Sequence, residues 1–269
     1  METRRIIESW YKALGFPRRY DEEFYEALNT LPISDTITIE TYDLNEQDGK
    51  RNFLSFLYFC EALKAKYEEL GIGNDILMDT LRDLLRWTDV WSDLKGELYL
   101  GEIPWLAFHM RGKLFCLGAL QFALGQAEHD VPEKGIAKGD NVVEVHIPAN
   151  TDFSKEECDK SFAMAKVFFA KYFPEREYRY FTCDSWLLDH TLKQFLKSES
   201  KIIDFQNRFD VVKDEERDSI FRYIFRWDAT RETALKMTAT TSLAQKVQEY
   251  ARDGGVFYVS LGVIDKDTI

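Results

Sequence analysis

The feature that most constrains this chain is a change in the spacing of its apolar residues near Gly112. Before it, from Asn52 to Leu70, Phe53, Leu54, Phe56, Leu57, Phe59, Cys60, Leu63 and Tyr67 are too many for one exposed stripe, and this predicts a buried helix ending at Gly71. From Asn74 to Trp91, Ile76, Leu77, Leu81, Leu84, Leu85 and Trp87 recur at the 3.6-residue period of a second helix. Shorter helices are expected over Ile6–Leu14, Glu22–Leu28 and Pro104–Met110, and the β-branched run TITIETY (36–42) predicts a strand or an extended crossing.

After Gly112 the apolar residues crowd into short runs instead. LFCLGALQFALGQ reads as a central strand and NVVEVHIPA as a second, ended by Pro148. Ser154 with Glu157 three residues on has the form of a capping box, opening a helix over Lys155–Phe173 with Phe162, Ala165, Phe169 and Phe173 inward. YRYFTCDSW predicts a third strand, Asp189–Leu196 a short helix, KIIDFQNRFDVV a fourth strand, and Glu215–Phe225 a segment leaning to helix. A helix capped by Thr241 or Ser242 and the strand VFYVSLGVI complete the pattern. The expected architecture is α+β, with a helical domain over 1–111 and a mixed-sheet domain over 112–269.

Charge excludes one class of partner. With 35 basic and 47 acidic residues the net charge is −12, which repels polyanions and argues against nucleic acid. The first 134 residues carry −9 and the rest −3, so an anionic ligand meets less repulsion in the second part. No apolar run of about 20 residues predicts a membrane span, no secretory leader is read at the start, and the four cysteines lack metal-site spacing. The expectation is a cytoplasmic protein with reduced thiols and no metal or membrane partner.

Several stretches carry a family resemblance: HIPANTDFSKEECDKSFAMAKVFF (146–169), RYFTCDSWLLDHTLKQFL (179–196), IIDFQNRF (202–209), TSLAQKVQEYARDGGVFYVSLGVI (241–264), LRDLLRWTDVW and FHMRGKLFCLGALQF. Together they resemble bacterial acyltransferase-like proteins with a helical N-terminal domain and a GNAT-like C-terminal domain. The resemblance implies acyl transfer from acetyl-CoA or another acyl-CoA to a small-molecule amine or a peptide, in a cleft where two central parallel strands splay apart. It also implies that the cofactor pyrophosphate meets a helix N-terminus, here beginning near Ser154. The glycine-bearing pattern that usually performs this task is replaced by PANTDFSKEE; Ser154, Lys155 and Lys160 are the cofactor candidates, with Lys166 nearby, and Glu156, Glu157 and Asp159 oppose a phosphate.

Within that frame the residues suggest roles. His146 and Glu144 lie two apart on one strand and so share a face, and a histidine titrates in the range a general base for an amine needs. Asp184 suits a base or an amine holder, Ser185 a hydrogen-bond donor and Tyr180 a general acid to the departing thiolate. Gln206 and Arg208, read as one face of the fourth strand, are substrate-binding candidates, Arg208 through a bidentate carboxylate pair. Each has a plainer reading as a buried histidine, a turn residue, a core tyrosine or a structural ion pair. The missing glycine pattern equally suits a non-catalytic protein that keeps the fold as a ligand-sensing or interaction module.

Overall fold

A computed structural model describes residues 2–269. The chain divides into two compact units, one running to Leu117 and taking in Gln121–Ala123, the other formed by Gly118–Leu120 and Leu124–Ile269.

The first unit is helical: α1 (Glu2–Leu14), α2 (Asp21–Thr30), α3 (Gly49–Leu70), α4 (Asn74–Lys95) and α5 (Ile103–Met110) precede the strand β1 (Leu114–Leu117). Helix α3 opens where the Asp48 carboxylate accepts from the Lys50 and Arg51 amides, and it buries the apolar residues named above. Tyr11 and Phe24 stack at 3.8 Å, and Phe16 meets Phe53 edge-on at 4.9 Å. A buried polar knot ties α4 to α5: Asp83 Oδ1 accepts from Arg86 (2.8 Å), Oδ2 accepts from Trp105 (3.1 Å), and His109 Nε2 lies 3.0 Å from the same Oδ2. Burial would raise the Asp83 carboxyl, but His109 and Arg86 hold it well below the usual carboxylate range.

The expected strand or crossing at 36–42 is a pair of turns. The Thr38 amide donates to Thr41 Oγ1 and the Thr41 amide to the Thr38 carbonyl, both at 3.2 Å, because short hydroxyl side chains capture nearby backbone before a strand partner can.

The remaining elements, all in the second unit except Gln121–Ala123 of β2, are β2 (Leu120–Gln126), β3 (Asn141–His146), α6 (Lys155–Tyr172), β4 (Tyr180–Ser185), α7 (Lys201–Gln206), β5 (Asp210–Glu216), α8 (Ile220–Ile224), α9 (Arg231–Ala234), α10 (Ser242–Arg252) and β6 (Tyr258–Asp265). Sheet order is β1-β2-β3-β4-β6-β5. LFCLGALQFALGQ is therefore two strands, with the chain reversing at Gly118, whose φ of 73° suits a residue without Cβ. Its first strand lies at the sheet edge, where a central one was expected.

KIIDFQNRFDVV also departs from expectation. Ser200 accepts from the Ile203 amide and starts α7, which buries Ile203 and Phe205, and the strand begins only at Asp210. Glu215 and Glu216 end β5, so the expected helix over Glu215–Phe225 shrinks to the single turn of α8. The Asp189–Leu196 helix is a 3-10 turn over His190–Gln194.

Helix α6 lies against one sheet face, with Phe162 5.1 Å edge-on from Phe181 and Phe169 5.9 Å from Tyr178. Phe168 takes the buried place expected of Phe173, which is half-buried at the helix end. A second apolar cluster joins Ile220, Phe221, Val247 and Phe257. Asp189, fully buried, accepts from the Thr191 amide at 2.8 Å and the Tyr258 amide at 2.9 Å, pinning the turn after β4 to the start of β6.

Truncating Phe181, which is wholly buried between α6 and the sheet, is expected to cost about 3–5 kcal/mol. Urea unfolding of Phe181→Ala beside the parent measures it.

Candidate active site

The site grows from one parallel pairing. Strands β3 and β4 match Val143 to Phe181 and Glu144 to Thr182; β3 then runs on to His146 and β4 to Ser185, past the last matched pair. On its other side β4 stays paired to β6 along its whole length, from Tyr180–Asp265 to Ser185–Ser260. Val145–His146 and Cys183–Ser185 thus lie beyond the last matched pair, with β2 beside β3 and β6 beside β4.

Alternation assigns the faces. Val143 and Phe181 turn toward α6, so Glu144, His146, Thr182 and Asp184 share the opposite face. His146 Nε2 lies 3.5 Å from Glu144 Oε2, with both side chains about one-third exposed. Glu144 fits because its neighbour on β2 is Gly125: a Cβ there would come within 2.1 Å of Glu144 Oε1. Arg176 donates to the Gly125 carbonyl (3.3 Å) and to Asn141 (3.2 Å), holding the base of the same strand pair. Sequence spacing found the His–Glu pair. The glycine that makes room for it, 19 positions away, carried no local signal.

Asp184 is exposed as a residue, but partial burial of its carboxylate pushes it above the usual carboxylate range. Arg217 and Lys213 oppose that push, and Glu215 and Glu128 add to it. Lys213, which faces Leu261 across β5 and β6, lies 3.0 Å from His129.

Other candidates are bound in structural roles. Tyr180 is buried and its hydroxyl donates to the Lys134 carbonyl at 2.7 Å, directing it to the 132–135 turn. The Ser185 hydroxyl accepts from the Leu187 amide (3.1 Å) and caps the turn Trp186–Leu188. Gln206 is buried at the end of α7, not on a strand, and donates to the Leu187 and Asp189 carbonyls at 2.8 and 2.9 Å. Cys183 is buried, and burial pushes its thiol far above the range of a nucleophile.

Arg208, also off the strand, sits at the start of α6. It donates to Asp159 at 2.5 Å, to the Lys155 carbonyl at 3.0 Å and to Asp204 at 3.5 Å. Lys201 pairs with Asp152, and Lys160 with Glu157, each at 2.5 Å.

The expected capping box is absent, because Ser154 gives no side-chain cap; its amide donates to Asp152 instead, and Lys160 engages Glu157. Before this helix end Asn150 adopts φ 60°, a left-handed conformation that asparagine tolerates and glycine usually supplies. At this helix N-terminus the acids at 152, 157 and 159 are paired with Lys201, Lys160 and Arg208, while Glu156 adds a further acid to the first turn and Arg208 is shared with Asp204. Lys155 and Lys160 therefore belong to a cluster of mixed charge. A surface depression of about 550 Å³ is lined by Lys134, Arg179, Tyr180 and Asp265 and reaches Arg208; Lys134 and Arg179 are paired there with Asp210 and Asp265.

Among the described residues no group of three or more His, Cys, Asp or Glu side chains could hold a metal ion, and no helix is long and apolar enough to cross a membrane.

Because the Asp184 carboxyl is raised, its charged form costs folding stability once the pH exceeds the ordinary carboxylate range, whereas at lower pH both folded and unfolded forms are protonated and the cost vanishes. Asp184→Asn is therefore expected to be more stable than the parent at pH 7, with the gap closing as the pH falls below about 4. Denaturant midpoints across pH give the sign.

Residues 114–264 match the family model described as the GNAT-like C-terminal domain, and residues 4–112 that described as the N-acyltransferase N-terminal domain. No protein of curated function matches the chain. Among solved structures it is similar to an acyltransferase in complex with decanoyl-CoA (25% identity, TM-score 0.70, covering 80% of this chain and 65% of that one). It is also similar to an acyltransferase in complex with decanoyl-CoA and teicoplanin (22%, 0.71, 81% and 66%). The chain spans just under two thirds of the length of these two. A variant acyltransferase in complex with octanoyl-CoA shares the fold over more of both chains, 96% of this one and 87% of that one, at 20% identity and TM-score 0.79.

Proposed function

The chain belongs to the GNAT-like C-terminal domain family, and on that premise we propose that it is an acyl-CoA-dependent N-acyltransferase acting on an amine by direct transfer. The observation that carries the reading is the end of the β3–β4 matches at Glu144–Thr182, with His146 just beyond it and 3.5 Å from Glu144. Residues 112–269 form the catalytic domain and residues 1–111 a separate helical one. The solved acyltransferases with octanoyl- or decanoyl-CoA bound support a medium-chain acyl donor over acetyl-CoA.

In this reading the uncapped start of α6 receives the pyrophosphate, with Ser154 and Lys155 at its edge and Arg208, Lys201 and Lys160 neutralising the acids around it. The gap between the strands takes the thioester arm, and the donor supplies an acyl group already activated for attack. His146 accepts the proton released as the amine nitrogen forms its bond to the acyl carbon, and Glu144 holds the ring and steadies its charge once protonated. Asp184, on the same face, attracts the acceptor as an ammonium before it is deprotonated. The C–S bond breaks and the thiolate leaves toward solvent, where it is protonated.

Titration calorimetry with octanoyl-CoA and acetyl-CoA tests donor binding. The expected result is saturable binding, tighter for octanoyl-CoA; no heat at millimolar donor with the protein folded would overturn the transferase reading in favour of a non-catalytic module. With an accepting amine, His146→Ala is expected to lower kcat by about 10²–10⁴-fold while leaving the donor Kd unchanged.

A further inference from the structure

Directly after the β4 end, the chain builds a wall of aromatic side chains that the acyl-transfer reading has not used. Trp186, the first residue of the turn that follows Ser185, stacks on Tyr223 with ring centres 5.8 Å apart and planes 23° from parallel. Tyr223 in turn meets Trp227 edge-on at 5.3 Å. The Arg222 guanidinium lies 4.4 Å over the Trp227 ring and donates to the Trp227 carbonyl at 3.0 Å, fixing the far end.

This wall is not core. Trp186 leans on the cluster of Ile220, Phe221 and Val247, but Tyr223 is 56% exposed, the second most exposed of the large apolar side chains. Trp186 and Trp227 are half-buried, so it is the Tyr223 ring, ordered between them, that forgoes the burial that normally places such rings. Its position is informative. Trp186 lies two positions after Asp184, about 7 Å of extended backbone, so the wall begins beside the group proposed to draw the acceptor's ammonium. A ring offered to water next to a group that orients an amine suits a guest whose amine is carried on something flat.

We propose that Trp186, Tyr223 and Trp227 form an acceptor platform, selecting amines that carry a flat ring, either aromatic or the apolar face of a sugar, over plain alkyl amines. The term acceptor rests on the acyl-transfer reading, but ring binding itself does not, and the two are separable by experiment. Stacking on an existing aromatic column is favourable for any guest with a planar apolar face, whereas an alkyl chain makes no comparable contact there.

Saturation-transfer NMR and titration of the intact chain with phenethylamine, glucosamine and hexylamine, without any acyl donor, test the platform. The expected result is binding of at least one ring amine, with its ring protons receiving the strongest transfer, and the responding probe identifies the kind of ring. In Tyr223→Ala that affinity falls about three- to tenfold, Tyr223→Phe restores it, and hexylamine is unaffected in both. Because Tyr223 is exposed, its truncation leaves the core intact. No binding of either ring amine to the parent at millimolar concentration overturns the proposal, as does hexylamine binding equally well or ring-amine affinity unmoved by Tyr223→Ala. A wall that docks another protein gives that last pattern. Ring binding that obeys the expected pattern while no amine is acylated supports the platform and counts only against the transferase reading.

Discussion

Everything chemical in this chain hangs on a parallel strand pair that stops after two matches. Because β6 holds β4 along its full length, the end of β4 cannot follow β3 when their pairing ends at Glu144 and Thr182. The same geometry sets His146 and Asp184 on one face and keeps the apolar Val143, Phe181 and Cys183 on the other, against α6. Architecture and reactivity are two readings of one register.

Charge is arranged to the same end. The first turn of α6 is rich in acids, which ordinarily satisfy a helix dipole and repel anions. Here Asp152, Glu157 and Asp159 are each matched by a cation, two of those cations reaching in from beyond β4. Ser154 withholds its cap, leaving the helix end available. Asp184 is the counterpart at the other end of the opening, a carboxylate kept where its ionised form is disfavoured. Shifts of this kind concentrate at functional sites, although structural networks produce them too.

How much of this the sequence disclosed depended on whether the signal was local. Helices α3 and α4 were legible because their apolar residues recur over 22 positions each, long enough for periodicity to decide. The pairing of His146 with Glu144 followed from alternation alone. KIIDFQNRF misled because Ile-Ile-x-Phe fits a strand as well as a turn and a half of helix, and the deciding signal was the Ser200 cap just before it. LFCLGALQFALGQ misled because Gly118 reads as a weak spot in one strand until its positive φ is known. Contacts between distant segments, such as Arg208 with Asp159 across 49 positions or Gly125 beneath Glu144, leave no trace in spacing. They decide how the acids of a helix start are paired and whether Glu144 has room.

Hydrogen–deuterium exchange with and without octanoyl-CoA would locate the donor on the fold directly. A thioester arm between β3 and β4 with its phosphates on α6 predicts new protection confined to Val145–Glu157 and Cys183–Ser185, with the β5 and β6 amides unchanged. Protection centred instead on the depression between Lys134 and Arg179, or none at saturating donor, would contradict the opening as the seat of the chemistry.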